Sequence, residues 1–344
     1  MTQNPLPGLT WLDQHCNATL LIFHARKLGD LLCTVPALRA LRTALPRVRI
    51  VLVGLPWAHH FAARFPRYID EFIAFPGHDA FPGRLVKYRQ LASFSAAMRA
   101  RRFDAALQMH GPSQQSNDIA RAFGARALAG FGDGDGTRSP YERFHPGSES
   151  GPEPLRQLDL VSLLGAAAAG VDLEFPITQA DECELSASGL AADLTPGEYV
   201  CIHPGAGKGN TCWDPARFAQ VADQIATDFD VQIVLTGSAG EAPLTAAVAS
   251  RMRFKAIDAA CPMSAGALAA LMSRARLLVS NNSCVSQIAA GLKLNSVVIF
   301  AHADMRRWAP LDARRHRCLW DPDGSRMPEV LGHVWTLMSE QNRN

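Results

Sequence analysis

Asp30 closes the segment FHARKLGD, seven residues beyond the apolar run of residues 18–23. An aspartate just past a strand end could take a proton from a substrate hydroxyl. It could equally cap the helix that begins there. Arg26 and Lys27 stand beside it and would suit an anionic ligand. His110 and Gln114 follow a second apolar run, residues 103–109, and could contact the same ligand; a packing role explains His110 equally well. The second half of the chain holds three more polar turns. In HPGAGKGNTCWDP (203–215), Gly205 lets backbone amides approach an anion, Lys208 adds positive charge, and a helix opens near Pro215. In LTGSAGE (235–241), Glu241 could accept the paired hydroxyls of a ribose, or simply favour a helix start. In VSNNSC (279–284), Asn282 and Ser283 stand where a helix follows a strand. One of them is an N-cap, and the helix N-terminus is also a seat for phosphate.

These residues need a frame, and the hydropathy pattern supplies one. Strand-like runs at 18–23, 49–54, 71–75, 103–111 and 127–131 alternate with helical segments. The alternation restarts at 198–205 and continues through 231–238, 255–259, 277–281 and 296–301. Strand-helix repetition with apolar strands is the signature of a parallel sheet covered on both faces. Residues 132–152, rich in Gly, Ser and Pro, read as a long surface loop, and residues 171–198 as an interdomain connection. The predicted class is α/β, with two doubly wound units. Ligands of such sheets bind beyond the carboxyl ends of the strands, which puts the expected site in a cleft between the units.

At 344 residues the chain is long enough for two domains, and 48% hydrophobic residues suit a large core. A net charge of +2 does not argue for a nucleic-acid partner. The eight cysteines show no CxxC pair and read as reduced thiols of a cytoplasmic protein. No run approaches the ~18 apolar residues of a membrane span, and the N-terminus lacks a signal-peptide pattern. A dinucleotide oxidoreductase fits the alternation but lacks GxGxxG after the first strand.

Five segments, in order, resemble glycosyltransferase family 9, the heptosyltransferases that build the inner core of bacterial lipopolysaccharide. They are KLGDLLCTVPALRALRTALP, IHPGAG with CWDPARFAQVADQI, VLTGSAGE, LVSNNSCVSQIAAGLKLNSVVIF and RRWAPLD, spanning residues 18 to 312. The resemblance implies a GT-B fold of two Rossmann-like domains: 1–175 on the acceptor side, 176–325 for the donor, and a last helix in 326–344 returning to the first domain. It implies an inverting transfer of a sugar, a heptose from an ADP-linked donor, with no cofactor and no obligatory metal. The acceptor would be a lipid-linked or other glycan, with peripheral contact at the inner face of the cytoplasmic membrane. Asp30 would be the general base, Glu241 would hold the ribose, and residues 281–287 would receive the diphosphate. Arg26, Lys27, His110 and Gln114 would face the acceptor.

The donor turn departs from the family pattern at four positions. Asn282 stands for an aspartate, Cys284 for a glycine, Gln287 for a histidine, and Thr211 for a basic residue two before the tryptophan. Two expectations follow. Either Lys208, Gly205, Ser283 and the helix N-terminus still seat a diphosphate, or the donor site has drifted and the chain is a weak or inactive nucleotide- or glycan-binding subunit.

Overall fold

In the computed structural model, residues 9–78, 88–132, 141–145, 151–206 and 213–341 are described. Lys208 and Thr211 lie outside them. The chain divides into two compact units, Met1–Val171 and Asp172–Asn344.

The first unit runs β1 (Thr19–Phe23), α1 (Leu28–Leu32), α2 (Val35–Ala44), β2 (Arg49–Gly54), α3 (His59–Arg64), β3 (Glu71–Ala74), α4 (Tyr88–Ala100), β4 (Ala105–Gln108), α5 (Gln114–Ala122), β5 (Ala127–Phe131), β6 (Glu142–His145) and α6 (Glu153–Leu163). Its six strands are all parallel, in the order β3-β2-β1-β4-β5-β6. β1, β4 and β5 are buried along nearly their whole length because helices cover both faces. On one face Leu21, Phe23, Val51, Val53, Phe103 and Phe123 form the core. Phe23 meets Phe75 and Phe123 edge to face, with centroids 5.2 and 5.5 Å apart. α2 and α6 pack together, and α2 buries Val35, Leu38 and Leu41.

The second unit runs α7 (Gln179–Ser188), β7 (Tyr199–His203), α8 (Pro215–Phe229), β8 (Gln232–Gly237), α9 (Ala242–Ala249), β9 (Ile257–Ala260), α10 (Ala265–Ser273), β10 (Leu277–Asn281), α11 (Cys284–Leu292), β11 (Ser296–Phe300), α12 (Met305–Trp308), β12 (His316–Trp320) and α13 (Met327–Gln341). Its parallel sheet is ordered β12-β11-β10-β7-β8-β9, the same winding as the first. Two doubly wound six-stranded sheets, each with helices packed on it, make the α/β architecture of the GT-B fold.

Three segments differ from the sequence-based expectation. The polar stretch 132–152 carries an edge strand, β6, pinned by Arg121, which reaches both oxygens of Glu142 at 2.9 and 3.1 Å. The connection contains α7, closed by a capping box between Thr178 and Asp181 and ended by Gly189. β12 also went unrecognised, because its sequence HRCLW alternates too weakly to read as a strand. The closing helix, α13, is built into the core of the second unit. Val330, Val334, Leu337 and Met338 of α13 pack with residues of α8 and β11.

A buried ion pair sits at the start of α6. Arg156 Nη1 donates to Glu153 Oε2 at 2.5 Å, and both side chains are about 95% covered. Gln157 Nε2 donates to Glu153 Oε1 at 2.8 Å and to the Met109 carbonyl at 3.3 Å, which ties α6 to the end of β4. Removing one partner of such a pair strands the other charge in the interior, at a cost of ~3–5 kcal/mol. Arg156→Ala is therefore expected to lower stability by that amount. Arg47→Ala, which removes a largely exposed pair to Asp13, should change it far less. Urea unfolding of both variants checks this.

Candidate functional site

In each unit the strand order reverses between the first and the fourth strand: β1 and β4 in the first, β7 and β10 in the second. The loops leaving these strands part in opposite directions and open a crevice at their carboxyl ends. Every sequence-predicted site residue that is described lies on one of these exits, or on that of β8.

In the first unit, β1 runs through His24 and Ala25 into α1, whose first turn holds Asp30. Lys27 is the N-cap, with extended backbone and no side-chain capping bond, so Asp30 is not the cap. Its carboxylate instead accepts from Arg26 Nη1 at 3.1 Å and is about four-fifths covered. Burial pushes the Asp30 pKa up, Arg26 opposes that, and the Glu153 carboxylate adds to the rise. Lys27 is exposed. The guanidinium of Arg26 reaches across to the exit of β4, where Nη2 stands 3.8 Å from the position a Cβ would take on Gly111. Gly111 has φ +123°, a conformation that favours glycine.

His110 is turned inward rather than toward a ligand. Its Nδ1 accepts from the Ala25 amide at 3.2 Å, which places the proton of the neutral ring on Nε2, and it stacks on Phe23. Burial, helped by Arg26, lowers its pKa to about 3. The neighbouring His24 is 2% exposed, its pKa lies well below the ordinary value for the same reason, and its Nδ1 has no partner among the described residues. Gln114 opens α5 behind the Ser113 cap and is exposed. Sequence reasoning missed Gln108. This wholly buried amide accepts from the amides of His110 and Gly111, at 2.8 and 3.1 Å. It donates to the carbonyls of Gly111 and Phe131 and to Asn117. A polar residue ending an apolar strand was the available signal. The basic stretch at 98–103 is partly engaged within the unit: Arg99 bonds the Ala122 carbonyl and Arg101 pairs with Glu71.

In the second unit, Glu241 Oε2 accepts from the Ser238 amide at 2.9 Å and its hydroxyl at 2.7 Å, a capping box that fixes the turn after β8. The other oxygen lies against Gly205, where a Cβ would fall 2.1 Å from Oε1. A side chain at position 205 would displace the Glu241 carboxylate from this place. His203, at the end of β7, hydrogen-bonds Thr236 through Nδ1 at 3.1 Å; burial lowers its pKa, against a contrary pull from Glu241.

The turn after β10 divides its labour. Asn281, 2% exposed, donates to the Pro204 carbonyl at 2.6 Å and accepts from the Trp213 amide at 3.1 Å. It therefore ties Pro204 to Trp213, a role sequence reasoning did not assign. Trp213 is anchored in turn by Asp321, through Nε1 at 3.0 Å. Asn282 is part-exposed, with its backbone held by Ile299. Ser283 caps α11 by accepting from the Val285 amide. Cys284 is the first helical residue and exposed. Gln287 is 4% exposed, and its amide donates to the Trp308 carbonyl at 2.8 Å, bracing the segment after β11 rather than facing outward. Among the described residues, no three His, Cys, Asp or Glu side chains gather as metal ligands would. Nor is any described helix long and apolar enough to cross a membrane.

The sequence model of Glycosyltransferase family 9 (heptosyltransferase) matches residues 91–330, more than half of the chain. The chain belongs to glycosyltransferase family 9. The match begins after the Asp30 turn, so it bears on the β4 exit and the whole second-unit site. A glycosyl transferase family 9 structure from Veillonella parvula DSM 2008 superposes with TM-score 0.80 at 21% identity, over 94% of this chain and 98% of that one. E. coli ADP-heptose lps heptosyltransferase II gives 0.74 at 16%, over 94% and 99%. E. coli heptosyltransferase WaaC with ADP-2-deoxy-2-fluoro heptose gives 0.67 at 18%, over the same shares. At these identities the likeness is one of fold. Among curated proteins no sequence match is found.

Two outcomes follow for this family 9 chain. Asn281→Ala leaves the Pro204 carbonyl and the Trp213 amide buried without a partner, each worth ~1–3 kcal/mol. Denaturant unfolding should show that loss, whereas Asn282→Ala should change stability by less than ~0.5 kcal/mol. The buried imidazoles make the fold acid-labile. Below pH ~6.5 an unfolded histidine takes up a proton that buried His110 refuses down to about pH 3. Stability should then fall by ~1.4 kcal/mol per pH unit for each such imidazole. The urea midpoint measured from pH 7 to pH 4 should drop accordingly, and less steeply in His110→Gln.

Proposed function

We propose that the chain is an inverting glycosyltransferase that moves a sugar from a nucleoside-diphosphate donor to a hydroxyl of a glycan acceptor. The observation that carries this reading is the placement of Asp30. It is a carboxylate with a raised pKa, at the switch-point exit of the first sheet, and capping does not account for it. Asp30 takes the proton of the acceptor hydroxyl as its oxygen attacks the anomeric carbon. The bond from that carbon to the diphosphate breaks on the opposite face, so configuration inverts and the negative charge leaves on the diphosphate. The α11 N-terminus, Ser283, the amides near Gly205 and Lys208 meet that charge without a metal ion. The Glu241 oxygen beside Gly205 serves the ribose hydroxyls. Family membership and the ADP-bound state of WaaC favour an ADP-linked heptose as donor. The relative that acts on lps favours a lipopolysaccharide-type acceptor reached at a membrane surface, by a protein of the cytoplasm.

A second reading, a nucleotide- or glycan-binding subunit with little activity, is favoured by one feature. Gln287 is committed to the Trp308 carbonyl, and Cys284 puts a side chain at the helix start. Calorimetric titration with ADP, UDP and GDP separates the two readings. The expected result is micromolar binding of one nucleotide by wild type and Asp30→Asn alike, weakened at least tenfold in Lys208→Ala, with transfer abolished in Asp30→Asn. Binding of none of the three would favour the second reading, and normal turnover by Asp30→Asn would remove Asp30 from the base role.

A further inference from the structure

The base proposed above is not presented bare. Asp30 Oδ1 receives Arg26 Nη1 at 3.1 Å, four residues back on the same turn. This pair is not an ordinary surface one. The Asp30 side chain is 19% exposed and the Arg26 side chain 36%, so the acid is the more covered partner and the arginine the more accessible one. Arg26 also lies over Gly111, at the exit of β4, with Nη2 3.8 Å from the position a Cβ would take there. Its guanidinium therefore spans the two strand exits that flank the first-unit crevice, with its charge open to a ligand arriving there.

The charges around Asp30 come from three elements. Arg26 is on its own turn. Glu153 acts from α6, where Arg156 and Gln157 hold it, and it disfavours a second negative charge nearby. His110 and His24 lie behind Arg26, and burial beside its positive charge keeps both neutral. Arg26 is thus the cation that holds Asp30 ionised against burial and against Glu153. A carboxylate so paired is a weak base. The same carboxylate, with Arg26 drawn away, is a stronger one.

We propose that the Arg26–Asp30 ion pair is a clamp that an anionic group on the acceptor opens, so that Arg26 both selects acceptors carrying an oxyanion near the reacting hydroxyl and releases Asp30 to act as base. The inference rests on Asp30 being the base. It adds that Arg26 is a specificity-determining residue acting through Asp30. A phosphate or carboxylate substituent accepts two guanidinium hydrogens in the bidentate geometry that arginine favours, and so competes with the single bond to Oδ1. A neutral acceptor leaves the clamp shut.

The test reads the Asp30 carboxyl directly and needs no turnover. The full-length protein is labelled with carbon-13 at aspartate carboxyls, and Asp30 is assigned by its loss in Asp30→Asn. Its titration midpoint is followed in wild type, Arg26→Gln and Arg26→Lys, with and without inorganic phosphate as the probe. The midpoint is expected to lie higher in Arg26→Gln than in wild type, with Arg26→Lys between them. Phosphate is expected to raise it in wild type and to leave Arg26→Gln unmoved. An equal midpoint in wild type and Arg26→Gln would overturn the clamp. So would a phosphate effect that is absent in wild type, or the same size in Arg26→Gln. Normal transfer by Asp30→Asn would instead sink the base assignment while leaving the carboxyl titration to stand on its own.

Discussion

A sheet whose strands are added first to one side of the starting strand and then to the other must part its loops where the direction reverses. That constraint organises both halves of this protein. The loops after β1 and β4 part in the first unit and those after β7 and β10 in the second, so backbone groups beyond the strand ends need partners outside the sheet. They must be paired by something else, because an unsatisfied buried amide or carbonyl is costly.

The two units solve the problem at the same strand in the same way. Gln108 ends β4 and Asn281 ends β10, and each is a buried side-chain amide. Gln108 gathers the backbone of residues 110–111 and the end of β5. Asn281 gathers Pro204, on the exit of β7, and Trp213, at the start of the segment leading into α8. An amide can donate and accept at once, so a single uncharged residue replaces the missing strand and brings no charge to the crevice. The crevices thereby keep their own electrostatics, set by the residues that face out of them.

Those electrostatics differ between the units. The first is governed by buried groups held neutral or paired: His24 and His110 as neutral imidazoles, Glu153 on Arg156, Asp30 on Arg26. In the second unit the exit of β10 carries uncharged Asn281, Asn282 and Ser283 where the first unit has a charged pair. The second unit offers a capped helix N-terminus, a glycine approached by a carboxylate, and a fixed capping box at Glu241. The transfer proposed above would draw on both, a proton acceptor in the first unit and a seat for the diphosphate in the second. The departures at Asn282, Cys284 and Gln287 leave the backbone frame of the second half in place. Ser283 still caps α11, and Gln287 has been taken into the packing of Trp308.

The α/β class, the two doubly wound units, most strands and helices, and the turns that carry polar residues were legible in the sequence. Each depends on local periodicity and on Gly, Pro or Asn at a strand end, which neighbours in the chain decide. β6 and β12 were not legible, because edge strands with arginine and histidine lack an apolar pattern and form through pairing with a distant strand. Individual side-chain roles were not legible either. Adjacent Asn281 and Asn282 look alike in sequence, yet one is a buried clip and the other part-exposed. In sequence His110 suits a ligand contact and a packing role equally; its ring bonds the Ala25 amide and stacks on Phe23. Residue type and spacing determine which chemistry a turn could host. Which way each side chain points is decided only when strands far apart in the chain are laid side by side, because that is where its hydrogen-bond partners come from.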